Sequence, residues 1–263
     1  MFMRPPFVHA RLMEVVVGED KLPRVLMWFS CGAASAVAAK LAVEKYGDRC
    51  EVLYCDTLKY EHDDNPRFMA DVSKWIGREI KILKSEKYTD IFDVFDKTGW
   101  LVGPDGARCT TELKKNVRKA YQQVDDIHIF GLAADESKRI ELFNTNNPDL
   151  MFDWILLDRG ITKSMCFDIL RSAKIALPQM YKLGYKNNNC IGCVKGQQGY
   201  WNKIRVDFPL HFWRMCWQEW KMGVAINKKY VNGERIPVFL FELDPKAGRY
   251  KSEKQFDCGV LCD

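Results

Sequence analysis

The chain has 263 residues, 47% apolar and 29% charged, a balance that supports a large packed core and excludes wholesale disorder. At roughly 150 residues per domain, the length predicts one large domain or one domain with an appendage. The net charge of +5 permits an anionic partner without demanding one. No apolar run reaches the roughly 18 residues of a membrane span. The first residues lack an apolar stretch with a small-residue cleavage site. The expectation is a cytoplasmic protein with no membrane partner.

In chain order, Arg24 to Phe29 is a continuous apolar run, the pattern of a strand buried on both faces. Ser30-Cys31-Gly32-Ala33-Ala34-Ser35 follows, then an alanine-rich helix from Ala36 to Tyr46 that stops at Gly47. Glu51 to Cys55 reads as a second strand ending in Asp56-Thr57, Asn65 to Ile76 as an amphipathic helix, and Glu79 to Leu83 as a third strand. Ile127 to Phe130 is a fourth, followed by Gly131. Strands alternating with helices predict an α/β fold with a parallel sheet and crossover helices. Beyond Pro178 the chain becomes rich in Tyr, Asn, Trp and Lys, and Asn232-Gly233 between two apolar runs predicts a hairpin. The expected division is a core over 1–175 and an extension over 176–263, packed together as one domain.

Three loops at the carboxyl ends of strands can bind an anionic ligand, because that edge of an open parallel sheet holds the ligand crevice. Ser30, Cys31, Gly32, Ala33 and Ser35 offer hydroxyls and helix-start N–H groups to phosphate or sulfate. Asp56 and Thr57 suit a ribose hydroxyl or Mg2+. Gly131 opens a segment in which Arg139 can pair bidentately with phosphate or sulfate.

There are ten cysteines. In a reducing compartment they are core thiols, metal ligands or catalytic groups. Cys50, Cys55, Cys166 and Cys216 lie in apolar surroundings and read as buried small hydrophobes. Cys190-Ile-Gly-Cys193 sits in a Gly/Asn-rich loop, the half-site of a zinc or iron–sulfur centre or a redox dithiol. Cys109 falls at a helix start, where a thiolate is stabilised. Cys258 and Cys262 are tail thiols, suited to a swinging nucleophile, a resolving thiol, a fourth metal ligand or no chemistry.

From about Val25 onward the chain resembles the phosphoadenylylsulfate and adenylylsulfate reductase family of the adenine-nucleotide alpha-hydrolase-like (PP-loop) superfamily, phage-encoded members above all. The residues that carry the resemblance are Ser30 to Ser35, Tyr54-Cys-Asp-Thr57, Gly131 to Arg139, Leu177 to Tyr185 with the following Cys-x-x-Cys, and Asp257-Cys258-Gly259. It implies an open, mainly parallel twisted sheet with helices on both faces, plus a cysteine-containing C-terminal region. It implies an adenine nucleotide, adenylylsulfate or ATP, on the three strand-end loops, with Mg2+ as a companion. Cys258 matches the family's catalytic cysteine, although the histidine of that motif is absent here. Cys109, Cys190 and Cys193 match three of four cysteines of a [4Fe–4S] cluster, with Arg108 in place of the other. The implied reaction is reduction of adenylylated sulfate to sulfite, with a thioredoxin- or glutaredoxin-type thiol as reductant.

Departures from the family pattern keep an alternative open. A three-cysteine cluster resembles that of ATP-dependent sulfurtransferases that thiolate tRNA or DNA. The mixture of Tyr185, Lys186, Tyr200, Trp201, Lys203, Arg205, Trp213 and Arg214 suits single-stranded nucleic acid. A third reading is a zinc-stabilised nucleotide-binding module using Cys190, Cys193, Cys258 and Cys262.

Overall fold

A computed structural model describes residues 22–103, 106–254 and 256; Cys258 and Cys262 lie outside this set. Five strands form one sheet: β1 (Val25–Trp28), β2 (Cys50–Cys55), β3 (Ile80–Leu83), β4 (Ile127–Phe130) and β5 (Met151–Phe152). All pairings are parallel and the order is β3-β2-β1-β4-β5. Side chains alternate along a strand. Val25 and Met27 therefore enter one core with the helices Ala33–Tyr46, Asn65–Ile76 and Lys163–Ser172. Leu26 and Trp28 enter another with Val117, Phe130 and Phe143. This is the doubly covered α/β sheet that the apolar strands predict.

Some details differ from expectation. The first helix begins at Ala33 rather than Ala36, because Ser35 caps it from within. Strand β5 is unforeseen; it is two residues long and is defined by pairing to Ile127 and His128. The helix over 108–121 carries a π turn, Thr111–Lys115, between the regular segments Arg108–Thr110 and Asn116–Tyr121. Buried His128 accepts from Trp28 Nε1 at 3.0 Å through Nδ1.

A third core joins Ile91–Thr98, the start of the 108–121 helix and the C-terminal third, including Gln198–Asp207 and Pro209–Met222. Cys109, Cys190 and Cys193 are buried in it. The hairpin pairs Asn227–Val231 with Glu234–Val238. Asn232 and Gly233 both take positive φ, 51° and 84°, as a tight two-residue turn requires. Its second strand stops at Val238, and the apolar residues that follow form the turn Leu240–Glu242. At its base, buried Glu219 accepts the N–H groups of Ile226 and Leu240, each at 2.6 Å. Among the described residues no helix is long and apolar enough to cross a membrane.

Candidate functional site

The strand order reverses between β1 and β4, and the loops leaving those two strands open a crevice there. Ser35 Oγ sits inside the β1 turn. It accepts the N–H groups of Ser30 and Gly32 at 3.1 and 3.2 Å and donates to the Gly32 carbonyl at 2.9 Å. Gly131, first after β4, presses on the same residue: a β-carbon there would lie 2.4 Å from Ser35 Cα, so only glycine fits. The Ala33 N–H points to the Tyr181 hydroxyl at 3.4 Å, which closes the turn from above.

Cys31 takes φ +58°, unusual for a residue with a side chain and costing about 1 kcal/mol or more. Contacts on both sides hold it. Its thiol is buried, lies 3.7 Å from the Asn65 carbonyl, and is pushed well above the usual thiol range chiefly by burial. Its carbonyl accepts from Asn188 Nδ2 at 2.7 Å. Cys31 therefore shapes the turn through its backbone and contributes no thiolate.

Asn188 ends a buried polar chain. Tyr54 hydroxyl meets Thr57 Oγ1 at 3.2 Å; Thr57 donates to Glu61 at 2.6 Å. Asn65 Nδ2 donates to the other Glu61 oxygen at 2.6 Å, and Asn188 Nδ2 donates to Asn65 Oδ1 at 2.8 Å. Thr57, Glu61, Asn65 and Asn188 are all buried. A carboxylate can only accept, which orients the Asn65 amide and then the Asn188 amide. Asn188 Oδ1 is left buried with no partner.

The crevice has a cavity volume of about 40 Å3 and opens to solvent. Ser30, Gly32, Ala34, Ser35 and Gly131 form its floor. Lys114, Lys163 and Tyr181 supply two ammonium groups and a phenol; Glu61 and Glu136 supply carboxylates; Asn187, Asn188 and Asn189 form a wall. Lys114 comes from the π turn. Lys163 donates to the Lys186 carbonyl at 2.8 Å and to Asn187 Oδ1. Asn187 and Asn189 both donate to the Phe256 carbonyl, at 2.6 and 3.2 Å, and the Lys186 N–H meets the Tyr250 hydroxyl at 2.8 Å. The chain before Cys258 is thus clamped at the rim of the crevice.

Other expected residues stand further off. Thr57 is inside the polar chain. Asp56 accepts the Leu58 N–H at 3.2 Å and faces Lys84 at 3.8 Å. Arg139 is ion-paired with Glu136, whose other oxygen accepts the Ala133 N–H at 3.1 Å. Tyr181 falls in the Leu177–Tyr185 segment and the asparagines in the Gly/Asn-rich loop before Cys190, without a role read for either; Lys114 and Lys163 belong to no sequence motif.

The Cys190–Cys193 loop closes on Tyr200. That hydroxyl accepts the N–H groups of Gly192 and Cys193 at 3.1 and 3.0 Å and donates to the Cys190 carbonyl at 3.2 Å. The Ile191 N–H reaches the Tyr60 carbonyl at 2.7 Å. Cys109, Cys190 and Cys193 are buried in one apolar cluster, and thiolates are the donors a metal or cluster centre takes, but among the described residues no group of three or more His, Cys, Asp or Glu is disposed to hold a metal ion.

No protein-family model matches the sequence, and no curated protein matches it. Among solved structures the chain is similar to phosphoadenylyl-sulfate (PAPS) reductase from Candida auris, in a phosphate complex. The two share 13% identity and a TM-score of 0.47, over 65% of this chain and 82% of that one.

Proposed function

We propose that the crevice binds an adenine nucleotide through its phosphates and that the chain reduces an adenylylated sulfate to sulfite. One observation carries the reading. The anion-binding turn, two lysines and a tyrosine converge on one pocket, and the clamp on Phe256 holds that pocket's rim two positions before Cys258.

In this reading Lys114 and Lys163 offset the phosphosulfate charge, and the first-turn N–H groups of Ala34 and Ser35 face the anion. The Cys258 thiolate attacks sulfur. An S–S bond forms as the S–O bond to phosphate breaks, and the adenosine phosphate leaves with that electron pair. The enzyme is then an S-sulfocysteine. A second thiol, from Cys262 or a thioredoxin- or glutaredoxin-type dithiol, attacks Cys258 Sγ, and sulfite leaves. The two thiols end as a disulfide, and their two electrons have reduced the sulfur.

The resemblance adds a [4Fe–4S] cluster held by Cys109, Cys190 and Cys193, which would supply a redox and electrostatic centre when bound. No step above passes through it. Mg2+ would accompany the nucleotide phosphates.

The test uses anaerobically purified full-length protein with adenylylsulfate or phosphoadenylylsulfate and a dithiol. Sulfite release is expected, lost in Cys258→Ser while binding of the adenosine phosphate persists. Full activity in that variant removes the nucleophile. ATP-dependent sulfur transfer to RNA or DNA, without sulfite release, replaces the reductase by the transferase. About four irons and four sulfides, lost in Cys109→Ala, would establish the cluster.

A further inference from the structure

The helix Pro209–Met222 turns Phe212, Met215, Cys216 and Glu219 inward, all of them buried. Among the described residues nothing covers its opposite face. Leu210 is 83% exposed, Trp213 59%, Trp217 62% and Trp220 62%. Val206, in the preceding helix, and Val224, just beyond this one, are exposed as well. The rings of Trp217 and Trp220 lie 4.8 Å apart, against each other. With large aromatics carrying about 250 Å2 each, the exposed parts of these six side chains come to about 700 Å2. That exceeds the few hundred Å2 of a usual monomer patch and approaches the roughly 800 Å2 that each partner gives to a stable interface.

We propose that this face is the contact between two copies of the chain, which pair antiparallel through the 209–222 helices about a two-fold axis. The spacing of Leu210, Trp213, Trp217 and Trp220 is three, four, three. It is the period of a helix–helix seam, and it reads the same in both directions. An antiparallel pair sets Trp213 against Trp217 of the second copy and Leu210 against Trp220, which is the self-complementarity that a two-fold contact needs. The bordering cations are already engaged within the chain. Lys221 pairs with Asp96 at 2.8 Å. The Arg214 guanidinium lies 4.3 Å from the Phe92 ring centre and 4.9 Å from that of Tyr60. The face therefore offers apolar surface rather than free positive charge, and an apolar partner fits it better than a polyanion. The contact is independent of the nucleotide crevice.

Sedimentation equilibrium of the full chain tests this. A mass twice the 30.6 kDa of one chain is expected at micromolar concentration. Trp217→Lys should raise the dissociation constant about thirtyfold or more, the loss expected for a buried tryptophan anchor. Leu142→Lys, at an exposed apolar residue off this helix, should leave the mass and dissociation constant unchanged. Circular dichroism of both variants checks that the fold persists, and Trp217→Ser repeats the test without added charge. A wild-type chain that remains monomeric at tens of micromolar overturns the proposal, as do dimers that survive both Trp217 variants. A monomer whose tryptophan fluorescence is quenched by a single-stranded oligonucleotide overturns it in favour of nucleic acid.

Discussion

Asn188 and Cys31 are 157 positions apart, and the amide of one donates to the carbonyl of the other at 2.7 Å. This bond fixes the backbone of the turn after β1 at a residue with positive φ. Asn188 lies two positions before Cys190, so the turn and the Cys-x-x-Cys loop are held together by one side chain. Replacing Asn188 by Ala leaves the Cys31 carbonyl and Asn65 Oδ1 without their donor. The expected cost is about 1–3 kcal/mol of stability, with at least about tenfold weaker binding of an adenosine phosphate at equal folding. Calorimetric titration beside a thermal melt checks both; unchanged affinity would separate the turn from the ligand.

Gly131→Ala should be more severe. The new β-carbon would stand 2.4 Å from Ser35 Cα and 2.5 Å from Ser35 N, both backbone atoms. One of the two loops must move, so nucleotide binding should be lost while most secondary structure remains. Circular dichroism with a phosphate-competition assay measures this. Wild-type binding in the variant would show that the two loops are less closely packed than described.

Tyr200→Phe removes the hydroxyl that holds two N–H groups and one carbonyl of the Cys-x-x-Cys loop. Protection of Cys190 and Cys193 should fall, and stability should drop by about 1–3 kcal/mol. Mass-spectrometric alkylation rates report the loop directly. Equal rates in both proteins would assign the protection to packing alone.

Two buried groups give opposite pH dependences. Burial raises the Glu219 carboxyl from 4.5 to about 7, against the lowering pull of its two N–H donors. Between those values the folded chain holds a proton that the unfolded chain releases, so this contribution to stability is lost as pH rises. Burial, then the Arg118 charge, lowers His128 from 6.5 to about 4. There the unfolded chain holds the extra proton, so stability from this group is lost as pH falls. Burial also lowers His211, which acts in the same sense as His128. Each large shift is on the order of 3 kcal/mol. The wild-type urea midpoint should therefore change little between about pH 4.5 and 6.5. Glu219→Gln should make it rise with pH, and His128→Phe should make it fall. Parallel slopes in the two variants would remove the assignment.

Parts of this arrangement are legible in the sequence because a local pattern encodes them. The apolar run at β1, the small residues after it, the glycine after β4 and the Asn232-Gly233 turn each follow from the conformation required of a few consecutive residues. The four cysteines read as core thiols, Cys50, Cys55, Cys166 and Cys216, are buried as their neighbours suggest. The crevice walls are not encoded in this way. Lys114, Lys163, Tyr181 and Asn188 reach the turn from segments distant in sequence, and no periodicity marks a polar residue that will be buried by another segment. Strand β5 is likewise a product of its neighbour: two residues carry no pattern of their own. The exposed tryptophans show a different limit, since a 3.5-residue apolar period does not say which of two faces of a helix meets its own core.

The π turn at Thr111–Lys115 has a consequence for how the chain tolerates length changes. A helix advances about 100° per residue, and a π turn holds one residue more than an α turn. Excising one residue there would let the helix run as regular α with Cys109 and Val117, which stays packed on the sheet, still in nearly the same phase. Keeping the residue and winding the stretch as α would instead rotate Cys109 by about that angle against Val117. The wider turn thus absorbs a single surplus residue, and a one-residue deletion that would twist a regular helix leaves this one in register.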